Sequence, residues 1–270
     1  MLEFVGLGLY DERSITEQGA SAVTEADSVY LEAYTSVLAG STVDELEDHH
    51  KRKIGVLDRA TVEQEPDAIL SEAASAHVVI LVGGDPMVAT THLDLRLRAA
   101  ERGIETRVIH GTSAATAAAG LCGLQGRRFG KATTVPRPGQ FGDDGVPQSV
   151  IDTIEANRER GLHTLVYLDI HLGDVDRAGL ADAIETRCLD AGTAAAQLAI
   201  DLPDRLAVVV ARAGSDEPLV DADRLDALAG REFGPPLHLL VVPGRLHDLE
   251  AAALRTFADA PADMVDSQIG

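Results

Sequence analysis

The chain has 270 residues, with 44 Asp+Glu against 23 Lys+Arg, a formal charge of −21. A hydrophobic fraction of 45% with 25% charged residues argues against intrinsic disorder, which needs low hydrophobicity together with high charge. That charge, with aromatics at 3% and no Trp, also argues against free nucleic acid as a partner, because a polyanion is repelled and few rings are present for base stacking.

The basic residues include only three lysines, Lys51, Lys53 and Lys131, a balance that suits a protein kept soluble in concentrated salt. Cys122 and Cys188 are too few for a disulfide framework or a four-cysteine zinc site, and read as reduced, small apolar residues. The N-terminus carries no basic stretch followed by an apolar one, and no run of about 18 apolar residues occurs. The expectation is a cytoplasmic protein with no membrane partner.

In chain order, short strand-like runs alternate with helical periodicity, which is the pattern of α/β architecture. Leu2–Gly8 reads as a buried strand, Thr16–Ala26 as a helix with Thr16 as its cap, and Ser28–Glu32 as a strand. A helical Val43–His49, a short strand Ile54–Leu57 and a helix Pro66–Ala76 follow. His77–Val82 is β-rich and stops at Gly83-Gly84-Asp85-Pro86; Ala89–Arg102 then reads as a helix closed by Gly103, and Glu105–Ile109 as a fifth strand. A segment rich in Gly, Arg and Pro, Gly120–Pro147, separates two periodic halves, with Phe129–Val135 strand-like inside it. The second half reads as helix Gln148–Arg160, strand His163–Leu168, a helical region from Leu180 to Ala199, strands Leu206–Ala211 and Leu237–Val242, and helix Leu246–Ala258. The polar end, Pro261–Gly270, is expected to fray. Two domains are expected, 1–111 and 112–270.

Three stretches at strand ends could carry chemistry. Gly6-Leu7-Gly8-Leu9-Tyr10-Asp11 is a glycine turn, where backbone can approach a ligand closely. It lacks the third glycine of the dinucleotide fingerprint, although Glu32 stands where the ribose-binding acid would belong, so a dinucleotide-binding enzyme stays an alternative. Gly83-Gly84-Asp85-Pro86-Met87-Val88-Ala89-Thr90-Thr91-His92 places Asp85 either to accept hydrogen bonds from a ligand or to cap the following helix. His110-Gly111-Thr112-Ser113-Ala114-Ala115 offers small residues with free N–H and hydroxyl groups, and does not match the Gly-x-Ser-x-Gly elbow of serine hydrolases. The nine histidines form no zincin pattern, and no metal site is expected.

Taken in order, these stretches resemble the archaeal diphthine synthases. The likeness rests on Gly6-Leu7-Gly8-Leu9, Tyr30-Leu31-Glu32-Ala33-Tyr34-Thr35-Ser36, Gly84-Asp85-Pro86 through His92, and His110-Gly111-Thr112-Ser113. It continues through Leu165–Ile170, Val209–Ser215 and Val241–His247, so it spans almost the whole chain. The glycine turn and Gly-Asp-Pro are shared with tetrapyrrole methylases at large, whereas Tyr34-Thr35-Ser36, His92 and Pro243–His247 point to the diphthine branch. Gly83 departs from the family, which often has Pro there, and Ala114–Ala119 is richer in alanine than usual.

The resemblance implies two unequal α/β domains of the tetrapyrrole methylase type, with S-adenosylmethionine in the cleft between them, normally in a homodimer. It implies methylation, to the trimethylammonium form, of the amino group on the 3-amino-3-carboxypropyl extension of one histidine of translation elongation factor 2. S-adenosylhomocysteine is the by-product. The same family carry-over assigns cofactor contacts to Leu9, Asp85, Val88, Ser113, Ala114, Leu168, Ala211 and His238. A tetrapyrrole-type methyltransferase is the alternative on the same fold. The sequence singles out no catalytic base; His92, Asp169 and His247 are the candidates.

Overall fold

The structure, a computed structural model, describes residues 1–88, 91–140, 145–170, 172 and 177–270. It divides into two compact units, the first of Met1–Ala114 with Ile170–Arg187 and the second of Ala115–Asp169 with Cys188–Gly270. The chain therefore leaves the first unit after Ala114, close to the expected boundary at Gly111, but returns to it at Ile170 and leaves again after Arg187. The expected division, 1–111 and 112–270, has no counterpart to that return.

The first unit is built on a parallel sheet of five strands: β1 (Leu2–Gly6), β2 (Ser28–Glu32), β3 (Ile54–Leu57), β4 (Val78–Val82) and β5 (Thr106–Ile109), in the order β3-β2-β4-β1-β5. The near-continuous apolar runs of β1 and β4 are those of strands covered on both faces, and every residue of both is buried. Helices α1 (Glu17–Glu25), α2 (Val43–His50), α3 (Asp67–Ala73) and α4 (Thr91–Glu101) connect the strands. Their starts obey local chemistry. Thr16 accepts a hydrogen bond from Gly19 N at 3.0 Å to cap α1, and Thr42 with Glu45 forms a capping box on α2. Phe4, Leu70, Ile80 and Leu95 lie in the core. Ala89 and Thr90, where the sequence starts its fourth helix, lie outside the described residues; the described helix runs from Thr91.

The returning segment carries α7 (Leu180–Arg187), whose Leu180 and Ile184 close over Leu7, Val37 and Leu46. Arg177 fixes its approach by binding Glu47 at 2.9 Å and Asp44. The Arg177 guanidinium, with Lys53, holds the Glu47 carboxyl well below the usual carboxylate range.

The second unit is a mixed sheet, in the order β6-β7-β10-β8-β9, of β6 (Thr133–Val135), β7 (Thr164–Leu168), β8 (Leu206–Ala211), β9 (Leu219–Arg224) and β10 (His238–Val242). Only the β6–β7 pairing is parallel; β10 runs antiparallel to both of its neighbours, and β9 to β8. Helices α5 (Ala114–Cys122, all but its first residue), α6 (Gln148–Glu159), α8 (Ala191–Ala199), α9 (Leu225–Leu228), α10 (Asp248–Phe257) and α11 (Ala262–Asp266) complete it. Val166, Leu198, Val209, Phe233 and Leu240 are central to its core.

Two expectations are corrected here, and one strand is not legible in the sequence. The helical region Leu180–Ala199 is two helices, because Asp190 accepts a hydrogen bond from Thr193 N at 2.8 Å and restarts the helix as α8. Strand β9 alternates Asp with Val and Ala, so its polar face at the sheet edge hides its strand character. The C-terminal stretch does not fray: it forms α11, buries Val265, and pairs with Leu246 through a hydrogen bond from Leu246 N to Gln268 O at 2.8 Å.

A buried polar network holds the second unit from within. His163, with no exposed surface, accepts from Gly244 N at 3.0 Å through Nδ1 and donates to Glu250 at 3.1 Å through Nε2. Glu250 also takes Arg128 at 2.8 Å and the backbone N–H groups of Gln125 and His247 at 2.9 Å. Burial pushes the His163 imidazole down. Burial alone would raise the Glu250 carboxyl, but the N–H donors and His163 hold it below its ordinary value.

Replacing Glu250 by Ala leaves Arg128 and His163 without their shared acceptor and is expected to cost about 3–5 kcal/mol, read as a shift in the denaturant midpoint. His163 binds its proton less readily folded than unfolded, so its stabilisation is complete above the ordinary value of 6.5 and is lost as the pH falls below it. The melting temperature is expected to fall on acidification from about pH 7 to 5, with a flatter profile for His163→Gln. Burial pushes the Cys122 thiol up to about 12 and the Cys188 thiol up to about 11. Neither is expected to react with a thiol reagent at pH 8 until the chain is unfolded.

Candidate functional site

At the carboxyl edge of the first sheet the loops after β1, β4 and β5 meet. Open α/β sheets place ligands at this edge. Gly8 and Gly84, both at φ +75°, exchange backbone hydrogen bonds, Gly84 N to Gly8 O at 2.7 Å and Gly8 N to Gly84 O at 3.2 Å. The β5 loop packs just as closely. A Cβ on Gly6 would lie 2.5 Å from Gly111 N, and one on Gly111 would lie 2.4 Å from Gly84 O, so backbone itself forms the floor here. A Cβ on Gly84 would meet nothing within 4 Å: the space in front of that residue is open.

Asp85 stands beside this floor. Its Oδ1 accepts from Met87 N at 2.8 Å, and its Oδ2 accepts from His110 Nδ1 at 2.7 Å, which ties the β4 loop to the β5 loop. Val88 N also reaches Asp85 O at 3.3 Å, so Asp85 closes a tight turn; Ala89 and Thr90, between this turn and the described start of α4, lie outside the described residues. Val88, in the same turn, is 51% exposed, an apolar side chain turned to solvent. Leu9 is half-buried on the β1 loop, and Ser113 and Ala114, also half-buried, lie on the β5 loop where α5 begins.

Behind the floor lies a second tier of buried polar groups. Glu32, with no exposed surface, accepts from Tyr34 N at 2.5 Å, Thr35 N at 2.6 Å and the Thr35 hydroxyl, which folds the loop after β2 around its carboxylate. Ser36 on that loop donates to Gly83 O at 2.8 Å. His92, also fully buried, faces Pro86 O through Nδ1 at 3.1 Å and Glu32 through Nε2 at 3.5 Å, with its ring edge-on to Phe4. Glu32 therefore serves the protein's own backbone, which removes it as the ribose-binding acid of a dinucleotide site. Ser36 and His92 thus brace the Gly83–Val88 loop through the carbonyls of Gly83 and Pro86.

The other three sequence-assigned residues belong to the second unit and share one end of its sheet. Leu168 ends β7, Ala211 ends β8, and His238 begins the antiparallel β10 with its register partner in Ala211. Leu168 and Ala211 are buried. Both nitrogens of the His238 ring are already engaged: Nδ1 accepts from Ala191 N at 3.1 Å and Nε2 donates to Pro235 O at 3.0 Å. Burial pushes this imidazole down, so it is a neutral clamp between α8 and the chain entering β10. His247 is likewise committed, as the N-cap of α10. Asp169 Oδ2, beside Leu168, is buried without a hydrogen-bond partner among the described residues.

His110 was part of a motif in the sequence but had no role there. Asp85 and His110 are 25 residues apart, and only the adjacency of β4, β1 and β5 brings them together.

Residues 1–229 match the family model of tetrapyrrole (corrin/porphyrin) methylases. A diphthine synthase of Halorubrum lacusprofundi is 58% identical over 98% of this chain and 100% of its own length, and one of Natronomonas pharaonis is 58% identical over 97% of each. Among solved structures, a diphthine synthase superposes with a TM-score of 0.87 at 41% identity over 98% of both chains, and a putative diphthine synthase from Entamoeba histolytica with 0.80 at 32% identity over 97% of this chain and 99% of its own. With a glycine floor, a Gly-Asp-Pro turn and full-length similarity of this degree, the chain belongs to the diphthine synthase branch of the tetrapyrrole methylases.

Proposed function

We propose that this protein transfers methyl groups from S-adenosylmethionine to the amino group of a 3-amino-3-carboxypropyl-histidine on translation elongation factor 2, carrying it to the trimethylated diphthine form. The observation that carries the reading is the 58% identity to diphthine synthases along essentially the entire chain. The carboxyl edge of the first sheet suits the cofactor in its donor set: open space before Gly84, a carboxylate at Asp85 and exposed apolar surface at Val88. When bound, the cofactor supplies a methyl group on a sulfonium leaving group, which carries most of the driving force.

The chain's own part is to bind, aim and exclude water. By the family carry-over Leu9, Val88 and Leu168 would pack on the adenine and thioether, while Asp85, Ser113 and the N–H of Ala114 would hold polar groups. Ala211 and His238 would contribute through backbone, since Ala211 has no polar side-chain atom and both His238 nitrogens are engaged. Holding an amine lone pair against the methyl is an orientation effect worth up to ~7–11 kcal/mol. Assembly as a homodimer in the cytoplasm completes the reading; among the described residues no helix is long and apolar enough to cross a membrane.

Incubation with labelled S-adenosylmethionine and elongation factor 2 carrying the unmethylated extension is expected to label that one histidine up to three times. Transfer to a precorrin instead would replace this reading with the tetrapyrrole one. Asp85→Ala is expected to weaken S-adenosylhomocysteine binding by roughly 10- to 100-fold in calorimetry, the size of a lost hydrogen bond to a charged group, with folding retained. If the protein substrate comes from the same salt-adapted cell and is acidic as well, a charge of −21 on the enzyme leaves no long-range attraction to assist the encounter. Turnover is therefore expected to hold or rise as KCl increases from low to molar levels, and a steep fall would contradict short-range recognition.

A further inference from the structure

We infer that His110 is the group that takes the proton from the substrate amine, with Asp85 as its orienting partner. The inference rests on the methyltransferase reading above. An alkylamine is an ammonium at neutral pH and has no lone pair to attack with, so each of the three methyl transfers needs a proton acceptor at the site.

Among the described residues of the first unit, three histidines have their rings tied to protein partners near the sheet. His77 binds Glu3 at 2.8 Å, His92 is fully buried between Pro86 and Glu32, and His110 binds Asp85 at 2.7 Å. Of these His110 is by far the most open: its side chain is 71% exposed, against 18% for His77 and none for His92, and that of Asp85 is 13% exposed. The carboxylate is an acceptor only, so Nδ1 must be the ring's N–H, and the neutral ring then presents the lone pair of Nε2 outward. Among the described residues no hydrogen bond or ion pair engages Nε2. Asp85 is itself fixed by Met87 N at 2.8 Å, and the backbone next to His110 is fixed by the contact of Gly111 with Gly6 and Gly84. A carboxylate held by its turn orients an imidazole whose other nitrogen faces outward, at the ligand-binding edge of the sheet. This is the arrangement of a general base with its second-residue support.

The step balances as follows. The N–H bond of the substrate ammonium breaks, its electron pair stays on nitrogen, and the proton moves to Nε2, giving an imidazolium stabilised by the Asp85 carboxylate. The free amine then receives the methyl group and is again an ammonium. The exposed imidazolium releases its proton to water before the next cycle. The third transfer gives a quaternary nitrogen with no proton left to remove.

The test combines His110→Ala, Asp85→Asn and Asp169→Asn with the full-length enzyme and the elongation factor substrate. For His110→Ala, turnover is expected to fall by roughly 10²- to 10⁴-fold, with S-adenosylhomocysteine affinity in calorimetry within about twofold of the native protein, and added imidazole is expected to restore part of the rate. Independently of activity, long-range proton–nitrogen correlation spectra of the native protein should show His110 as the Nδ1–H tautomer, and Asp85→Asn should abolish that preference. Native turnover retained in His110→Ala, a loss without imidazole rescue, an Nε2–H tautomer in the native protein, or a comparable loss confined to Asp169→Asn would each overturn the assignment. Failure of the native enzyme to methylate the elongation factor would overturn the functional reading, and this assignment with it.

Discussion

The close approach of three backbone segments at the carboxyl edge of the first sheet constrains everything around it. Gly6 and Gly111 leave no room for a Cβ between the loops of β1 and β5 and the backbone of the β4 turn. Those loops can approach so closely because β1 lies between β4 and β5 in the sheet, so all three strands end side by side. The floor is therefore backbone, and the side chains of Leu9, Asp85, Val88, His110 and Ser113 lie on the loops that form it. A side chain larger than hydrogen at Gly6 or Gly111 would force the loops apart and move Asp85 away from His110.

A tightly drawn edge needs support from behind, and buried polar groups supply it. Glu32 satisfies three donors of its own loop, Ser36 holds the carbonyl of Gly83, and His92 holds the carbonyl of Pro86. Such groups are costly to bury unpaired, so their presence under the Gly-Asp-Pro turn sets its geometry more sharply than apolar packing would. The second unit uses the same device in His163, Glu250 and Arg128. In both units the histidines that look reactive in the sequence turn out to be braces, while His110, set against an exposed edge, is a residue to which the sequence assigned no role.

The acidic surface belongs to a different level of description. A charge of −21 says nothing about the fold, but it removes electrostatic steering as a means of meeting another acidic protein and leaves contact complementarity to do the selecting. Relatives from Halorubrum and Natronomonas, both 58% identical, share the full length of this chain or nearly so.

The sequence by itself determined the α/β class, most strand positions and the order of the strand-end motifs, because buried parallel strands such as Val78–Val82 and glycine turns such as Gly6–Gly8 are written in local composition. It also carried the family, through motifs that are contiguous in the chain. It missed β9, whose Asp residues face outward at an edge, and the break at Asp190, where a cap interrupts an unbroken helical pattern. The return of Ile170–Arg187 to the first unit hangs on Arg177 reaching Glu47, 130 residues away. His238 as a clamp, Glu32 as a loop anchor and His110 as the partner of Asp85 were likewise decided only in the tertiary structure. Each depends on which strands become neighbours, and strand order follows from how the whole sheet buries its faces, a property that no local stretch of residues encodes.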